Sequence, residues 1–306
     1  MALKGVLRVG LIQFRVLDFE DTLVHYRDRL GLDVVGTIDE NRIMLKGYDE
    51  FDHHSVVLHR SDRPGLDFIA FKADSAEKVE DIVKRTQAEY TYPLTEINDQ
   101  PGYGTIYCFK VSTGHQIGIY SEVAIADKKP MIHNPHIWDE EPRGMGVTHF
   151  DHALLYGPNA AETVKWLTEV LGLAITETLA DGKGGNLCTW ISGSTRGHDV
   201  AVLEFPEEGK LHHVSFHLNN WADVGRAADI IGRYSISLDA GPMRHGITRG
   251  QTIYFFDPSG NRNETYAGGY EFFPDHPVRH WDVECAGEGV FYYNKALNER
   301  FLSVYT

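Results

Sequence analysis

The pattern of apolar and polar positions along the chain predicts short strands that alternate with amphipathic helices. Residues 7–17 (LRVGLIQFRVL) are rich in strand-forming side chains, and Asp18 follows them as a candidate helix cap. Tyr26 and Leu30 then recur at helical spacing, and Gly31 is placed to end the helix. The first predicted unit is therefore a strand followed by a helix.

The same design returns in the second half of the chain. Residues 147–157 (VTHFDHALLYG) predict a strand, and Val164, Leu167 and Leu171 share one face of the helix that follows. Two further pairs of stretches match across the halves, namely 65–71 with 210–216 and 105–120 with 252–266. The two halves are therefore repeats of one another.

Within each half the order of strand, helix and several strands occurs twice, which predicts four βαβββ modules. We expect an α+β fold in which the modules pair into two similar domains, each a cup-like mixed β-barrel with its helices outside. Residues 1–145 would form the amino-terminal domain, with a linker at 122–146 that is rich in proline and charge. Residues 146–306 would form the carboxy-terminal domain, and its aromatic extension after residue 267 should pack back on this domain or on another subunit.

Composition narrows the class of partner. The 306 residues include 29 Lys plus Arg and 44 Asp plus Glu, and the formal net charge of −15 opposes binding to nucleic acid or to an anionic membrane. Three widely spaced cysteines, Cys108, Cys188 and Cys285, give neither a disulfide framework nor a zinc motif. The first residues, MALKGVLRVGLIQF, are typical of neither a signal peptide nor a membrane span. We therefore expect a cytoplasmic protein with small-molecule partners.

Imidazole and carboxylate groups on the predicted strands of the second half indicate a metal site. Strand alternation places His213 on the polar face of its strand and His212 on the apolar face, and by the same parity His152 shares a face with Phe150. Three strands could then direct one ligand each into a common cup, from His152, His213 and Glu264. Other histidines are interpreted as solvated or linker residues, namely His53, His54, His133 and His136.

Comparison of the two halves supports this ligand set. Opposite the three candidates stand other residues, in the pairs His152 with Gln13, His213 with Phe68, and Glu264 with Gly118. Tyr107 stands opposite Tyr254, which favours a partly structural role for that tyrosine. Two imidazoles and one carboxylate leave metal positions open, as in non-haem Fe(II) enzymes that bind substrate and dioxygen together. A closed structural zinc site would need a fourth protein ligand.

At these residues the sequence resembles the extradiol ring-cleaving dioxygenases of the vicinal oxygen chelate superfamily, and most closely the catechol 2,3-dioxygenases. The resemblance covers essentially the whole chain, and its most specific pieces are FDHALLYG, RGHDVA, LHHVSFHL, RHGIT and TIYFFDPSGNRNE. It implies Fe(II), with Mn(II) as the alternative, held by His152, His213 and Glu264. It also implies catalytic roles for His198, His245 and Tyr254, and substrate-pocket positions for Trp190, Ile247 and Phe301.

The resemblance further implies a metal-free amino-terminal domain, a catalytic carboxy-terminal domain and a homotetramer. The expected reaction is extradiol (meta) cleavage of catechol or alkylcatechols by dioxygen to 2-hydroxymuconic semialdehydes, in the degradation of aromatic compounds. Two alternatives on the same fold remain open. One is a metal isomerase related to glyoxalase I, and the other is a metal-free protein that binds an aromatic ligand.

Overall fold

The computed structural model describes residues 5–126, 133–138 and 140–306, so residues 127–132 and 139 of the predicted linker lie outside the described residues. The described chain forms two mixed sheets of eight and nine strands. The order strand, helix and three strands occurs four times, which confirms the predicted α+β fold and its four modules. Among the described residues, no helix has the length and apolar character needed to span a bilayer. The domain division at residue 145 stays a prediction.

The first sheet is built by the first two modules. Its strands are β1 (Val6–Val16), β2 (Asp33–Asp39), β3 (Arg42–Lys46), β4 (Val56–Arg60), β5 (Gly65–Ala73), β6 (Leu94–Ile97), β7 (Ile106–Lys110) and β8 (Gln116–Tyr120). Its helices are α1 (Phe19–Val24), which continues as a π-helix at His25–Leu30, and α2 (Ala76–Glu89). The strand order β2-β3-β4-β1-β5-β8-β7-β6 puts β1 and β5 at the centre. As predicted, the Asp18 carboxylate caps α1, and Gly31, at φ 94°, follows the helical run.

The second sheet repeats this arrangement. Its strands are β9 (His149–Gly157), β10 (Ala174–Ala180), β11 (Asn186–Ser192), β12 (Val200–Glu204), β13 (Lys210–His217), β14 (Leu238–Arg244), β15 (Gly250–Phe256), β16 (Arg262–Gly268) and β17 (Arg279–Trp281). Its helices are α3 (Ala160–Glu169), α4 (Trp221–Arg233), α5 (Ala286–Val290) and α6 (Glu299–Ser303). The strand order is β14-β15-β16-β13-β9-β12-β11-β10-β17. Because β17 pairs with β10, the aromatic extension packs back on the second half, as predicted.

Strand registers show which residues occupy equivalent places in the two sheets. Ala70 of β5 lies opposite Gly118 of β8, just as Ser215 of β13 lies opposite Glu264 of β16. Gly118 is therefore the counterpart of Glu264, as the sequence predicted. Two residues before Ala70 and Ser215 lie Phe68 and His213, so Phe68 is the counterpart of His213, again as predicted.

Two other predicted matches between the halves are wrong. Gln13 pairs with Phe68, whereas it is Leu154 that pairs with His213, so the counterpart of His152 is Leu11 and not Gln13. The sequence alignment was displaced by two residues, a shift that keeps side-chain parity and so leaves no trace in the apolar pattern.

The counterpart of Tyr254 is likewise not Tyr107. Tyr254 pairs with Glu264, and the residue that pairs with Gly118 is Cys108. The cup of the first half is consequently filled by one apolar cluster that includes Leu11, Phe68 and Cys108.

Two β-bulges interrupt the pairing of β9 with β13. Asp151 is skipped between the pairs Phe150–Phe216 and His152–Ser215, and His212 is skipped between Leu211–Leu155 and His213–Leu154. A bulge re-aims the side chains that follow it. Phe150 consequently lies in the main core while His152 lines a cavity, so the predicted shared face of these two residues is wrong.

Buried hydrogen bonds join the two halves next to β16. The His25 Nε2–H group donates to Asn263 Oδ1 at 2.8 Å, and the Asn263 amide donates to the Tyr26 hydroxyl at 2.8 Å. Tyr26 in turn donates to Asp257 at 3.0 Å. Because Asn263 directly precedes Glu264, the first half contributes to the placement of the strand that carries the candidate carboxylate ligand.

Because His25 is buried in this interface, we expect the free energy of unfolding to fall in mild acid. Burial lowers the pKa of His25 from 6.5 to about 4, although its hydrogen bond to Asn263 acts in the opposite direction. The unfolded chain therefore binds a proton at a pH where the folded chain does not, and the free energy of unfolding should fall by roughly 2 kcal/mol between about pH 7 and pH 5 through this group. In His25→Gln, chemical denaturation at both pH values should show a smaller pH dependence by this amount. An identical pH dependence in the two proteins would contradict the assignment.

Candidate metal centre

Three side chains from neighbouring strands meet in one buried cluster. His152 of β9, His213 of β13 and Glu264 of β16 each offer a ligand atom, and these atoms lie within 4.8 Å of one another. Glu264 Oε2 is 2.9 Å from His152 Nε2 and 3.3 Å from His213 Nε2. The structure thus brings together the three residues that the sequence singled out, because β16, β13 and β9 are adjacent in the sheet.

The cluster fits a divalent metal ion. Among the described residues, His213 Nε2 and Glu264 Oε2 are buried nitrogen and oxygen atoms without a hydrogen-bond partner. Leaving such atoms unpaired costs free energy, and a cation between them would offset that cost. Two imidazoles and one carboxylate also leave coordination positions open, which suits a catalytic site better than a closed structural one.

The carboxylates of Glu264 and Asp151 favour positive charge in this cluster. Burial alone would lower the pKa of His152, but Glu264 and Asp151 outweigh burial and raise it to about 9. Burial lowers the pKa of His213 to about 3, although Glu264 acts in the opposite direction. Burial also acts to raise the pKa of Glu264, and His152 overcomes it and holds that pKa well below its usual range. Either a proton on His152 or a metal ion can supply the positive charge that the carboxylates favour.

The residues at the two bulges orient the two histidines. Asp151 Oδ2 accepts a hydrogen bond from His152 Nδ1 at 2.6 Å, which leaves His152 Nε2 free to bind a cation. His212 Nδ1 lies 2.7 Å from His213 Nδ1 and is placed to do the same for the second histidine. The sequence alone indicates no such role for either residue, because strand parity hides a bulge. The visible signal was only a polar residue directly before each histidine.

His245 and Tyr254 lie together on the His213 side of the cluster. His245 Nδ1 is 2.5 Å from the Val290 carbonyl, which can only accept, so Nδ1 carries the proton. His245 Nε2 therefore accepts a hydrogen bond from the Tyr254 hydroxyl at 2.9 Å. Its distance to Glu264 Oε1 is 3.6 Å, and the Tyr254 ring lies 5.2 Å from the His213 ring.

His198 lies on the other side of the cluster. Its buried ring has its centroid 3.9 Å from that of His152. Burial, together with the neighbouring His152, lowers the pKa of His198 well below its ordinary value, which keeps the ring neutral. The candidate catalytic groups thus flank the metal cluster from two directions.

Every site residue that the sequence predicted lines one cavity. Its walls include the three candidate ligands, the three candidate catalytic residues and the three candidate pocket residues, Trp190, Ile247 and Phe301. The cavity has further walls, which the sequence did not predict, formed by Leu154, Ala201, Thr248, Tyr266, Gly289 and Val290. Polar groups are concentrated at the metal cluster, and the rest of the cavity is largely apolar.

The prediction that His54 is solvated is wrong. His54 is fully buried, its Nε2 hydrogen-bonds Gln100 at 3.2 Å, and burial lowers its pKa to about 3. It precedes β4 by the same interval as His198 precedes β12, and these strands pair with β1 and β9 in the same way. His54 is therefore the first-half counterpart of His198. His133 and His136 are exposed, as predicted.

Several known proteins resemble this chain in sequence. The sequence profile of the Glyoxalase/Bleomycin resistance protein/Dioxygenase superfamily matches residues 149–265. Metapyrocatechase of Pseudomonas sp. (strain CF600) is 42% identical over 308 residues, with 99% of each chain covered. The manganese-dependent 2,3-dihydroxybiphenyl 1,2-dioxygenase of Geobacillus genomosp. 3 is 28% identical over 298 residues, with 94% of each chain covered.

Solved structures show the same architecture. The 2,3-dioxygenase LapB from Pseudomonas sp. KL28 superposes with a TM-score of 0.88 at 40% identity, covering 92% of this chain and 99% of LapB. A variant of homoprotocatechuate 2,3-dioxygenase from B. fuscum gives a TM-score of 0.85 at 24% identity, covering 98% of this chain and 83% of its own, and bears on the fold alone.

The hydrogen bond from His152 to Asp151 generates a prediction about metal retention. In Asp151→Ala, His152 loses the carboxylate that fixes its tautomer, and we expect metal affinity to fall by about 10- to 100-fold. Equilibrium dialysis of the apoprotein against ferrous or manganous ion measures this directly. Asp181→Ala, which removes an exposed carboxylate on a loop, is the matched control and should bind as the wild type does. Unchanged affinity in Asp151→Ala would show that this carboxylate does not support the ligand.

Proposed function

The chain belongs to the metapyrocatechase family of extradiol dioxygenases, and from this premise we propose how it works as a catechol 2,3-dioxygenase. It cleaves catechols with dioxygen, beside rather than between the two hydroxyl groups. We propose that the catalytic metal is held by His152, His213 and Glu264. The observation that carries this proposal is the open-sided trio at the polar end of an otherwise apolar cavity.

The contrast between the two halves supports the same assignment. Four polar residues of the second cup, His152, His213, Tyr254 and Glu264, have the counterparts Leu11, Phe68, Cys108 and Gly118. Because the two sheets share one architecture, a purely structural need for these polar groups would apply to both halves. Their joint replacement by apolar residues and glycine favours a chemical role in the second half.

Iron(II) is the proposed metal, with manganese(II) as the alternative. Both ions accept nitrogen and carboxylate ligands, and one relative is named for its dependence on manganese. When bound, such an ion would lower the pKa of the catechol hydroxyls and hold the diol and dioxygen side by side.

Tyr254 and His245 are proposed to accept the proton of a catechol hydroxyl. The Val290 carbonyl fixes the proton of His245 on Nδ1, so that Nε2 is available as a base. Tyr254 donates to this Nε2, and its hydroxyl can relay a hydrogen bond between the substrate oxygen and His245. This arrangement places a proton acceptor on the His213 side of the cavity.

His198 is proposed to act on the oxygen side. Its neutral imidazole lies against the His152 ring, across the cluster from Tyr254, and has an N–H group to donate. A donor fixed in a buried site stabilises negative charge that develops on oxygen more strongly than water does. Because the ring is neutral, His198 stabilises this charge by donating a hydrogen bond and keeps its proton.

Trp190, Ile247 and Phe301 are proposed to form the slot for the aromatic ring. They line the cavity, and the Phe301 ring packs edge-on against Tyr254 at 4.9 Å between centroids. Apolar walls exclude water and bind a flat ring. The cytoplasmic location stays a prediction from the cysteine content and the first residues, and the homotetramer stays a prediction from the resemblance alone.

The reaction itself gives the test of function. Purified protein loaded with ferrous ion and mixed with catechol in air should consume dioxygen and form the yellow 2-hydroxymuconic semialdehyde, while the anaerobic mixture should stay colourless. A zinc isomerase or a metal-free binding protein would consume no dioxygen, so that absence of oxygen uptake by iron-loaded protein would contradict the proposal.

The ligand assignment is tested by His213→Ala. Loss of one of two imidazole ligands should abolish stoichiometric iron binding and reduce turnover by at least about 100-fold. The matched control is His136→Ala, which removes an exposed histidine, and it should keep full activity. Iron content and turnover of the wild-type level in His213→Ala would exclude this residue as a ligand.

A further inference from the structure

We propose that His212 is a positioning residue for the metal centre, which ties the ligand His213 to the carboxyl-terminal segment through a chain of hydrogen bonds. The inference rests on the proposed metal site and adds a residue and a structural connection to it. The chain starts at the Phe301 carbonyl in α6, passes through both ring nitrogens of His212 and ends on His213.

The protons of this chain can be assigned from elementary chemistry. The Phe301 carbonyl only accepts, so His212 Nε2, at 2.7 Å, must donate. His212 Nδ1 is then an acceptor, and the proton shared across the 2.7 Å contact belongs to His213 Nδ1. The lone pair of His213 is consequently on Nε2, which is the atom 3.3 Å from Glu264 Oε2. This is the tautomer that a metal ligand at Nε2 requires.

Packing fixes the His212 ring in place. The ring is fully buried, stacks on Tyr156 with centroids 4.8 Å apart and 29° between planes, and meets the edge of Phe301 at 4.8 Å. The Arg262 guanidinium donates to the backbone carbonyls of both His212 and Val304, at 3.2 and 2.7 Å. With its ring packed between Tyr156 and Phe301 and its backbone carbonyl bound by Arg262, His212 transmits a defined orientation to its neighbour.

The β-bulge explains how two adjacent residues can act together. In regular β-structure, neighbours point to opposite faces, but His212 is the skipped residue of β13 and so reaches the ring of His213. The first half has a bulge at the counterpart, Asp67, which is skipped between Phe68 and Leu66. That carboxylate instead binds Arg15 and His59. The bulge is thus common to both halves, and in the second half the skipped residue contacts the imidazole that directly follows it in the chain.

A neutral partner suits His213. His152 already donates a hydrogen bond to the Asp151 carboxylate, and Glu264 adds a second negative charge to the cluster. A carboxylate at position 212 would add a third buried negative charge, which the ion would have to offset. An imidazole fixes the tautomer without adding charge.

The hydrogen-bond chain also couples the metal centre to residues 299–306. Leu211 and Thr306 exchange two backbone hydrogen bonds, of 2.8 and 3.0 Å, and α6 supplies the Phe301 carbonyl. Docking of residues 299–306 therefore both closes the substrate cavity, through the Phe301 ring, and holds His213 in its ligating form.

The test compares the release of ferrous ion from loaded protein to a chelator under anaerobic conditions. In His212→Phe, which keeps a ring but removes both hydrogen bonds, release should be about 10- to 100-fold faster than in the wild type. In His212→Gln, the amide can donate to Phe301 and accept from His213, so release should return to within a few-fold of wild type. His212→Met, which fills the space with a flexible apolar chain, takes the place of the Phe variant if that variant does not fold.

A matched control comes from the first half. His53 and His54 form a similar adjacent pair, with their Nδ1 atoms 2.9 Å apart, remote from the metal cluster. His54→Phe removes an equally buried histidine and should leave ferrous ion release unchanged. Faster release in this control would mean that loss of a buried histidine alone accounts for the effect.

The outcomes separate this inference from the proposed site. Wild-type release rates in His212→Phe, or a Gln variant no better than Phe, would overturn the positioning role while leaving the ligands in place. Retention of ferrous ion by His213→Ala at the wild-type level would instead remove the proposed metal site itself. Fast release in the Phe variant with recovery in the Gln variant supports the hydrogen-bond chain.

Discussion

The second half of the protein depends on one constraint, a carboxylate buried between two imidazoles. Glu264 is fully buried, and its Oε2 atom faces His152 and His213 without a hydrogen-bond partner among the described residues. A charge in that position is costly unless a cation balances it. The Thr252 hydroxyl satisfies the other oxygen at 2.5 Å, which leaves Oε2 directed at the two imidazoles. The same constraint explains why polar groups gather at one end of an apolar cavity.

The duplicated architecture makes this arrangement possible. The first half solves the same folding problem with Leu11, Phe68 and Cys108 in its cup, so its sheet is stabilised by ordinary apolar packing. The second half has polar side chains in the equivalent place. Residues from the first half and from the carboxyl-terminal segment hold this polar centre by hydrogen bonds. His25 and Tyr26 bind Asn263 next to the carboxylate ligand, and the carboxyl-terminal segment binds His212. The first half therefore acts as part of the scaffold of the site.

Most of the fold and the principal site residues could be predicted because their signals are periodic. The strand and helix pattern repeats four times, and the histidines and the carboxylate stand out against a half that lacks them. Alternation failed where β-bulges occur, at Asp151 and His212, because one extra residue reverses the faces without changing the composition of the strand. The matches of Gln13 with His152 and of Tyr107 with Tyr254 failed for a related reason, since register is set by hydrogen bonds between distant strands. His54 was misjudged because its burial depends on tertiary packing.

We propose that one divalent ion binds at His152 Nε2, His213 Nε2 and Glu264. Anomalous diffraction from crystals of iron-loaded protein, recorded on both sides of the iron absorption edge, locates that ion without reference to activity. We expect one strong peak per chain, within bonding distance of those three side chains. A peak at other residues, or none at this cluster in protein shown to contain iron, would contradict it.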